Sequence, residues 1–185
     1  MRRWRSYLKN KSLIFFGEYL IILGIDPGSL NCGYGILQVE NKKIVAAGCD
    51  VIKANPALPL EERLKKIYSK ITEVIQEYKP DIAAVETIFY GKNIRSAFTL
   101  GHARGVILLA LAQGELQINE YSPREVKRSV VGNGNASKEQ VEFMVQKILN
   151  LQLKPKTQDA TDALAIALCQ FNKERFQLKK RSKKE

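Results

Sequence analysis

The chain has 185 residues, 45% hydrophobic and 26% charged, which fits one folded domain with a sizeable core and room for a small appendage. Its formal charge of +11 is unevenly placed: residues 1–19 carry five Lys or Arg against Glu18, and residues 173–185 carry seven against Glu174 and Glu185. Cys32, Cys49 and Cys169 are odd in number and widely spaced, and there is one histidine, which excludes a disulfide framework and a zinc site and points to a reducing, cytoplasmic setting.

Basic ends around a nearly neutral body suit a polyanionic partner, most often nucleic acid, or simply keep the termini solvated. The opening "MRRWRSYLKNKSLIFF" begins like a secretion signal, but Gly17 and Glu18 interrupt its apolar stretch and no small-residue cleavage site follows. Residues 1–19 are expected to be a disordered basic extension or an over-long translation start. No segment approaches the length needed to span a bilayer, so no membrane partner is expected.

"LIILGID", residues 20–26, is a continuous apolar run closed by an acid and predicts a strand buried on both faces. Pro27-Gly28 marks a tight turn; Gly28 and Ser29 suit close approach of a phosphate to the backbone and suit simple turn geometry nearly as well. "CGYGILQVE" and "KKIVAAGCDVI" predict two further strands joined at Asn41-Lys42, forming a meander with the first. From Pro59, the stripe Leu60, Leu64, Ile67, Ile71, Val74 and Ile75 predicts an amphipathic helix. "DIAAVET" is a short strand ending in Glu86, followed by the loop "TIFYGKN".

A second helical region runs from Ile94 to Gln113, where Gly101 and Gly105 predict a break or close helix packing. His102 within it reads as an ordinary helix residue. "LQINEY" is a fifth strand. "SPREVKRSVV" is a short helix with Ser122 as N-cap and Pro123 in its first turn. A Gly/Asn loop over 132–136 leads to a helix capped by Ser137, and a last helix starts at Asp159. Three antiparallel strands followed by alternating helices and strands predict an α/β fold with a five-stranded mixed sheet flanked by helices. The expected division is an N-terminal extension (1–19), a folded body (20–172) and a basic C-terminal tail (173–185).

Four acids then stand out. Asp26 and Glu86 end strands, and Asp159 and Asp162 open the last helix one turn apart. Each has a plain explanation, as a strand-end carboxylate or a helix cap. Sites in open α/β sheets collect at the carboxyl ends of strands, however, and four carboxylates gathered there would repel one another unless cations lay among them. Oxygen-only donors select a hard cation, Mg²⁺ or Mn²⁺, and two such ions could clamp the attacking and leaving oxygens of a phosphodiester.

In order and spacing, "LGIDPGSLNCGYGI", "VETIFYGKN", "LGHARGV", "EYSPREVKRSVVGNGNASKEQV" and "DATDALAIA" resemble the RuvC crossover-junction endodeoxyribonucleases over residues 21 to about 171. That resemblance implies a ribonuclease-H-like fold, a homodimer, and Mg²⁺-dependent cleavage of four-way (Holliday) junctions to 5′-phosphate and 3′-hydroxyl ends, in concert with the RuvA–RuvB branch-migration complex. It places the family's metal-binding acids on Asp26, Glu86, Asp159 and Asp162, with Asp26 bridging both ions. Lys127 and Lys138 match lysines set near the DNA backbone, and Phe89 an aromatic that stacks on bases at the opened crossover, with Lys92 and Asn93 beside it on DNA and Tyr90 in either a core or a stacking role.

For the dimer, "SAFTLGHARGVILLALA" offers a contact in which Leu100, Val106, Ile107 and Leu111 could be buried, although some of these residues are expected only to cover the sheet. Three rival readings fit the same residues. One is an ATP-binding lobe of the actin–hexokinase class, which would need a second lobe. The others are a ribonuclease-H-like nuclease acting on RNA or other branched or nicked nucleic acid, and a DNA-binding module without catalysis.

Overall fold

The computed structural model describes residues 19–87, 94–150 and 157–181, the last six by backbone alone. Five strands, β1 (Tyr19–Asp26), β2 (Asn31–Glu40), β3 (Lys43–Lys53), β4 (Ile82–Glu86) and β5 (Gln117–Tyr121), form one sheet in the order β3-β2-β1-β4-β5. The first three run antiparallel as a meander, and β4 and β5 add parallel to β1. This is the mixed five-stranded sheet expected from the sequence. The helices are α1 (Leu60–Tyr78), α2 (Ile94–Gln113), α3 (Pro123–Val131), α4 (Lys138–Leu149) and α5 (Gln158–Arg181).

The sheet separates two apolar layers. Ile21, Leu23 and Ile25 of β1 meet Ile67, Ile71 and Val74 of α1 and Ala103, Ile107 and Leu111 of α2. On the other face, Ile22, Leu37 and Ala84 meet Leu164, Ala167 and Leu168 of α5, with Val126, Val130, Val141 and Val145 of α3 and α4 closing the layer. A strand with helices on both faces needs apolar side chains in both directions, which is why β1 is one continuous apolar run. The β2–β3 connection turns at Asn41 and Lys42, both left-handed (φ 49° and 63°), the geometry that a two-residue hairpin with right-handed strand twist requires.

Several local expectations are met and several are corrected. Ser122 and Ser137 both cap their helices through complete capping boxes with Glu125 and Gln140. β1 begins one residue earlier than expected, at Tyr19, and α5 begins at Gln158 and continues to Arg181, so the first part of the basic tail is helix. α2 runs unbroken through Gly101 and Gly105, and a Cβ at either would meet open space. Of the residues weighed between a subunit contact and cover for the sheet, Ile107 and Leu111 are core residues, whereas Ile94, Phe98 and Leu109 are exposed. α2 is also long and apolar enough to cross a membrane, contrary to expectation, but it packs one face into the core and carries Arg104 in an ion pair with Glu120.

The placement of α5 rests on three strand glycines. Gly24 of β1 lies opposite Gly35 of β2, and Gly33 lies opposite Asp26. A Cβ on Gly24 would stand 2.2 Å from the Ala163 carbonyl oxygen and 2.7 Å from the Ala167 nitrogen. One on Gly33 would stand 2.0 Å from the Asp159 carbonyl oxygen, and one on Gly35 would stand 2.9 Å from the Leu164 nitrogen. The glycines therefore admit the helix backbone itself, and Ala160, Ala163 and Ala167 supply its small-residue face. Gly24→Ala must push α5 off the sheet. It is expected to destabilise the fold by about 3 kcal/mol, lowering the melting temperature by about 6–12 °C. An unchanged melting curve would contradict this seating.

Candidate active site

β1 and β4 are parallel neighbours whose last paired residues are Ile25 and Val85. The next residue of each, Asp26 and Glu86, therefore leaves the sheet at the same edge. The seat at Gly33 brings the Asp159 backbone beside the register partner of Asp26, and Asp162 follows one helical turn later. Four acids separated by up to 136 positions in the chain are thus assembled by one strand pair and one helix start.

The first turn of α5 is capped by another residue: the Thr157 hydroxyl accepts from the Ala160 N–H at 3.4 Å. This settles the capping question left open by the sequence, since Asp159 and Asp162 lie inside the helix rather than at its cap position.

The electrostatics show how closely the acids sense one another. Burial pushes Asp26 up to about 8, reinforced by the charges of Glu86, Asp162 and Asp159 and opposed by Lys138. Burial pushes Glu86 up to about 7, reinforced by Asp162 and opposed by Lys138 and Lys127. Asp162 is also raised, first by burial and then by Asp159, against the pull of Lys138. The buried Cys32 thiol is pushed up to about 12 by burial, with Asp26 and Asp159 adding to it. A thiol so held is inert as a nucleophile.

The two predicted lysines face this cluster. Lys138 opens α4, and its ammonium lies 3.7 Å from Asp162 Oδ2 while most of the side chain remains exposed. Lys127 of α3 acts electrostatically on both Glu86 and Asp162. Phe89, Tyr90, Lys92 and Asn93 lie outside the described residues. His102 is exposed on α2, in keeping with an ordinary helix position. Gly28 has a structural reason to be glycine, because a Cβ there would stand 1.8 Å from the Asn31 carbonyl oxygen.

Among the described residues, no three His, Cys, Asp or Glu side chains stand close enough to hold an ion in their present positions. The donor chemistry nevertheless suits a hard divalent cation. It is four carboxylates at one half-buried edge, two of them with strongly raised pKa values, without a sulfur or imidazole donor. A cation between them would replace mutual repulsion by attraction. Thr157 and Arg104 are not singled out by any pattern in the sequence. The second reaches the Glu86 carbonyl oxygen through Nε at 3.4 Å, and its only sequence signal is a charge set within an apolar helix.

Comparison with known proteins places the chain in a family. The family model for "Crossover junction endodeoxyribonuclease RuvC" matches residues 22–170. The crossover junction endodeoxyribonuclease RuvC of Desulforamulus reducens is 44% identical over 150 residues, covering 81% of this chain and 92% of the relative. That of Proteus mirabilis is 47% identical over 155 residues, covering 82% and 88%. Among solved structures, T. thermophilus RuvC in complex with a Holliday junction substrate superposes with a TM-score of 0.79 at 34% identity, covering 85% of this chain and 96% of that one. With its ribonuclease-H-like sheet and the family's motifs in order along the matched span, this chain belongs to the RuvC family of crossover junction endodeoxyribonucleases, the Holliday junction resolvases.

Proposed function

We propose that the protein resolves four-way DNA junctions by divalent-cation-dependent phosphodiester hydrolysis, making paired nicks as a homodimer in the cytoplasm. The observation that carries this reading is the convergence of Asp26, Glu86, Asp159 and Asp162 at one sheet edge, faced by Lys127 and Lys138. The four carboxylates would hold Mg²⁺, two ions per site, with Mn²⁺ able to substitute. Such ions supply Lewis-acid stabilisation of the charge that develops on a phosphodiester as it is cleaved.

The protein's own groups do the rest. Lys138 and Lys127 offset part of the negative charge of the acids and offer ammonium groups to phosphate oxygens. The buried edge beneath Asp26 excludes water and so strengthens every charge interaction at the site. Phe89 stacks on bases at the crossover, where aromatic faces accept any base, and Lys92 and Asn93 contact the adjacent strand. The basic termini add salt-sensitive contacts to DNA outside the crossover.

Two cuts at symmetry-related positions call for two sites related by a two-fold axis. The exposed face of α2 supports such a pairing. Ile94 (71% exposed), Phe98 (68%) and Leu109 (53%) stand out from it, and Gly101 and Gly105 leave space beside them. Association with the RuvA–RuvB branch-migration complex is the remaining partnership carried by the family resemblance.

The test is a supercoiled plasmid that extrudes a cruciform, incubated with Mg²⁺. Wild-type protein should yield linear DNA from paired cuts. Asp26→Asn, Glu86→Gln, Asp159→Asn and Asp162→Asn should each lower cleavage at least about a hundredfold, the scale of losing charge stabilisation in a reaction centre. Junction binding should survive or tighten, because each change removes repulsion towards phosphate. Replacing Mg²⁺ by Ca²⁺ should preserve binding without cutting. Near wild-type cleavage by any one variant would remove that residue from the ligand set, and full activity in EDTA would defeat the metal-dependent reading.

A second expectation concerns pH. Asp26 and Glu86 hold protons more tightly in the folded than in the unfolded chain, because their folded values rise to about 8 and about 7. The stability this confers is complete below about pH 4 and is lost as pH rises through 7 and 8. Protein stripped of metal should therefore melt at a lower temperature at pH 8.5 than at pH 5.5. Asp26→Asn should flatten much of that difference. An identical pH dependence in wild type and variant would contradict the raised value of Asp26.

A further inference from the structure

Glu86 sits where its strand loses support. The β1–β4 ladder ends at Ile25 and Val85, so Glu86 lies one residue beyond the last paired position on that side. On the other side it still pairs with Tyr121 of β5, and the Thr87 N–H donates to the Tyr121 carbonyl at 2.8 Å. From above, α2 delivers one guanidinium to the same point. Arg104 donates through Nε to the Glu86 carbonyl oxygen at 3.4 Å, and its Nη2 lies 2.6 Å from Glu120 Oε2 on β5. Its side chain is only 18% exposed, against 46% for Glu120.

We propose that Arg104 is a positioning residue for the junction-cleaving site: its guanidinium, held by Glu120, fixes the peptide of Glu86 where β4 leaves the sheet, and so sets the direction in which the Glu86 carboxylate meets the other acids. The inference rests on the reading of Glu86 as a cation ligand. Its physical basis is the shape of arginine. A planar fork directs separate N–H groups at two acceptors at once, whereas a lysine ammonium can satisfy the ion pair but offers no fixed second direction. The ion pair alone would contribute little at a partly exposed site. The donor to the Glu86 carbonyl is what distinguishes this arginine from a surface charge.

The test uses the full chain with a synthetic four-way junction and four variants: Arg104→Lys, Glu120→Gln, the exchange Arg104→Glu with Glu120→Arg, and Glu86→Gln as reference. Steady-state cleavage is measured together with calorimetric Mg²⁺ affinity, junction affinity in EDTA, and melting temperature. Arg104→Lys should lower kcat about tenfold or more while leaving KM for the junction within about twofold. Its Mg²⁺ affinity should fall at least about threefold, since outer-shell support orients ligands, while its melting temperature stays close to wild type.

The exchange variant restores the opposite charges but has no donor for the Glu86 carbonyl. It should resemble Arg104→Lys in both kcat and Mg²⁺ affinity. Glu120→Gln retains the donor and should stay within about threefold of wild type. Wild-type kcat and Mg²⁺ affinity in the exchange variant would overturn the proposal, leaving Arg104 as an ion-pair residue only. Should that variant fail to fold, the same result in Arg104→Lys decides the matter. If Glu86→Gln still cleaves, the ligand assignment of Glu86 falls and this inference falls with it. If Glu86→Gln is inactive while the Arg104 variants match wild type, the inference alone has failed.

Discussion

The backbone of α5 lies directly on the backbone of β1 and β2, with no side-chain layer between them at Gly24, Gly33 and Gly35. Close packing of this kind tolerates no added methyl group, because the nearest atoms a Cβ would meet are main-chain atoms that cannot turn aside. The contact also sets the register of the helix along the strands. With Ala163 and Ala167 at Gly24, the start of α5 falls at Gly33, opposite Asp26. Asp159 and Asp162 reach the sheet edge for that reason. A seating one turn further along would carry both acids about 5 Å away from the ends of β1 and β4.

What the seating achieves is electrostatically unfavourable in isolation. Raising one carboxyl as far as Asp26 corresponds to a free energy on the order of 5 kcal/mol, a large part of the net stability of a domain this size. Two features keep the arrangement tolerable in a chain without bound metal. Raised pKa values let Asp26 and Glu86 hold protons near neutrality, and Lys138 and Lys127 stand close by on α4 and α3. Both would stand in for divalent charge. The same buried, acid-rich edge that strains the fold would give a bound cation and a phosphate a strong interaction.

Much of this was legible in the sequence. A continuous apolar run closed by an acid identified β1 and β4 and placed Asp26 and Glu86 at their ends. The motif order then identified the family and its ribonuclease-H-like fold. The glycines that seat α5 were invisible as such, since a strand glycine signals close approach without saying what approaches. Gly101 and Gly105 misled in the opposite direction: tertiary packing of Ala103, Ile107 and Leu111 keeps α2 continuous through two residues of low helix propensity. Thr157 carries no distinguishing signal, because Asp159 and Asp162 just after it are equally good caps by type. Arg104 carries none for its role, because its partners come from a strand end and a neighbouring strand, which no local pattern records.

Asp26 and Glu86 hold protons at the edge where divalent cations would balance the charge. The most direct test of this is the number of protons released when Mg²⁺ binds, read from the dependence of calorimetric enthalpy on buffer ionisation. With Asp26 near 8 and Glu86 near 7, saturation at pH 7 should release roughly one to one and a half protons per site, falling towards zero by pH 9. Mg²⁺ binding at pH 7 with no proton release, or with release unchanged in Asp26→Asn, would contradict the account.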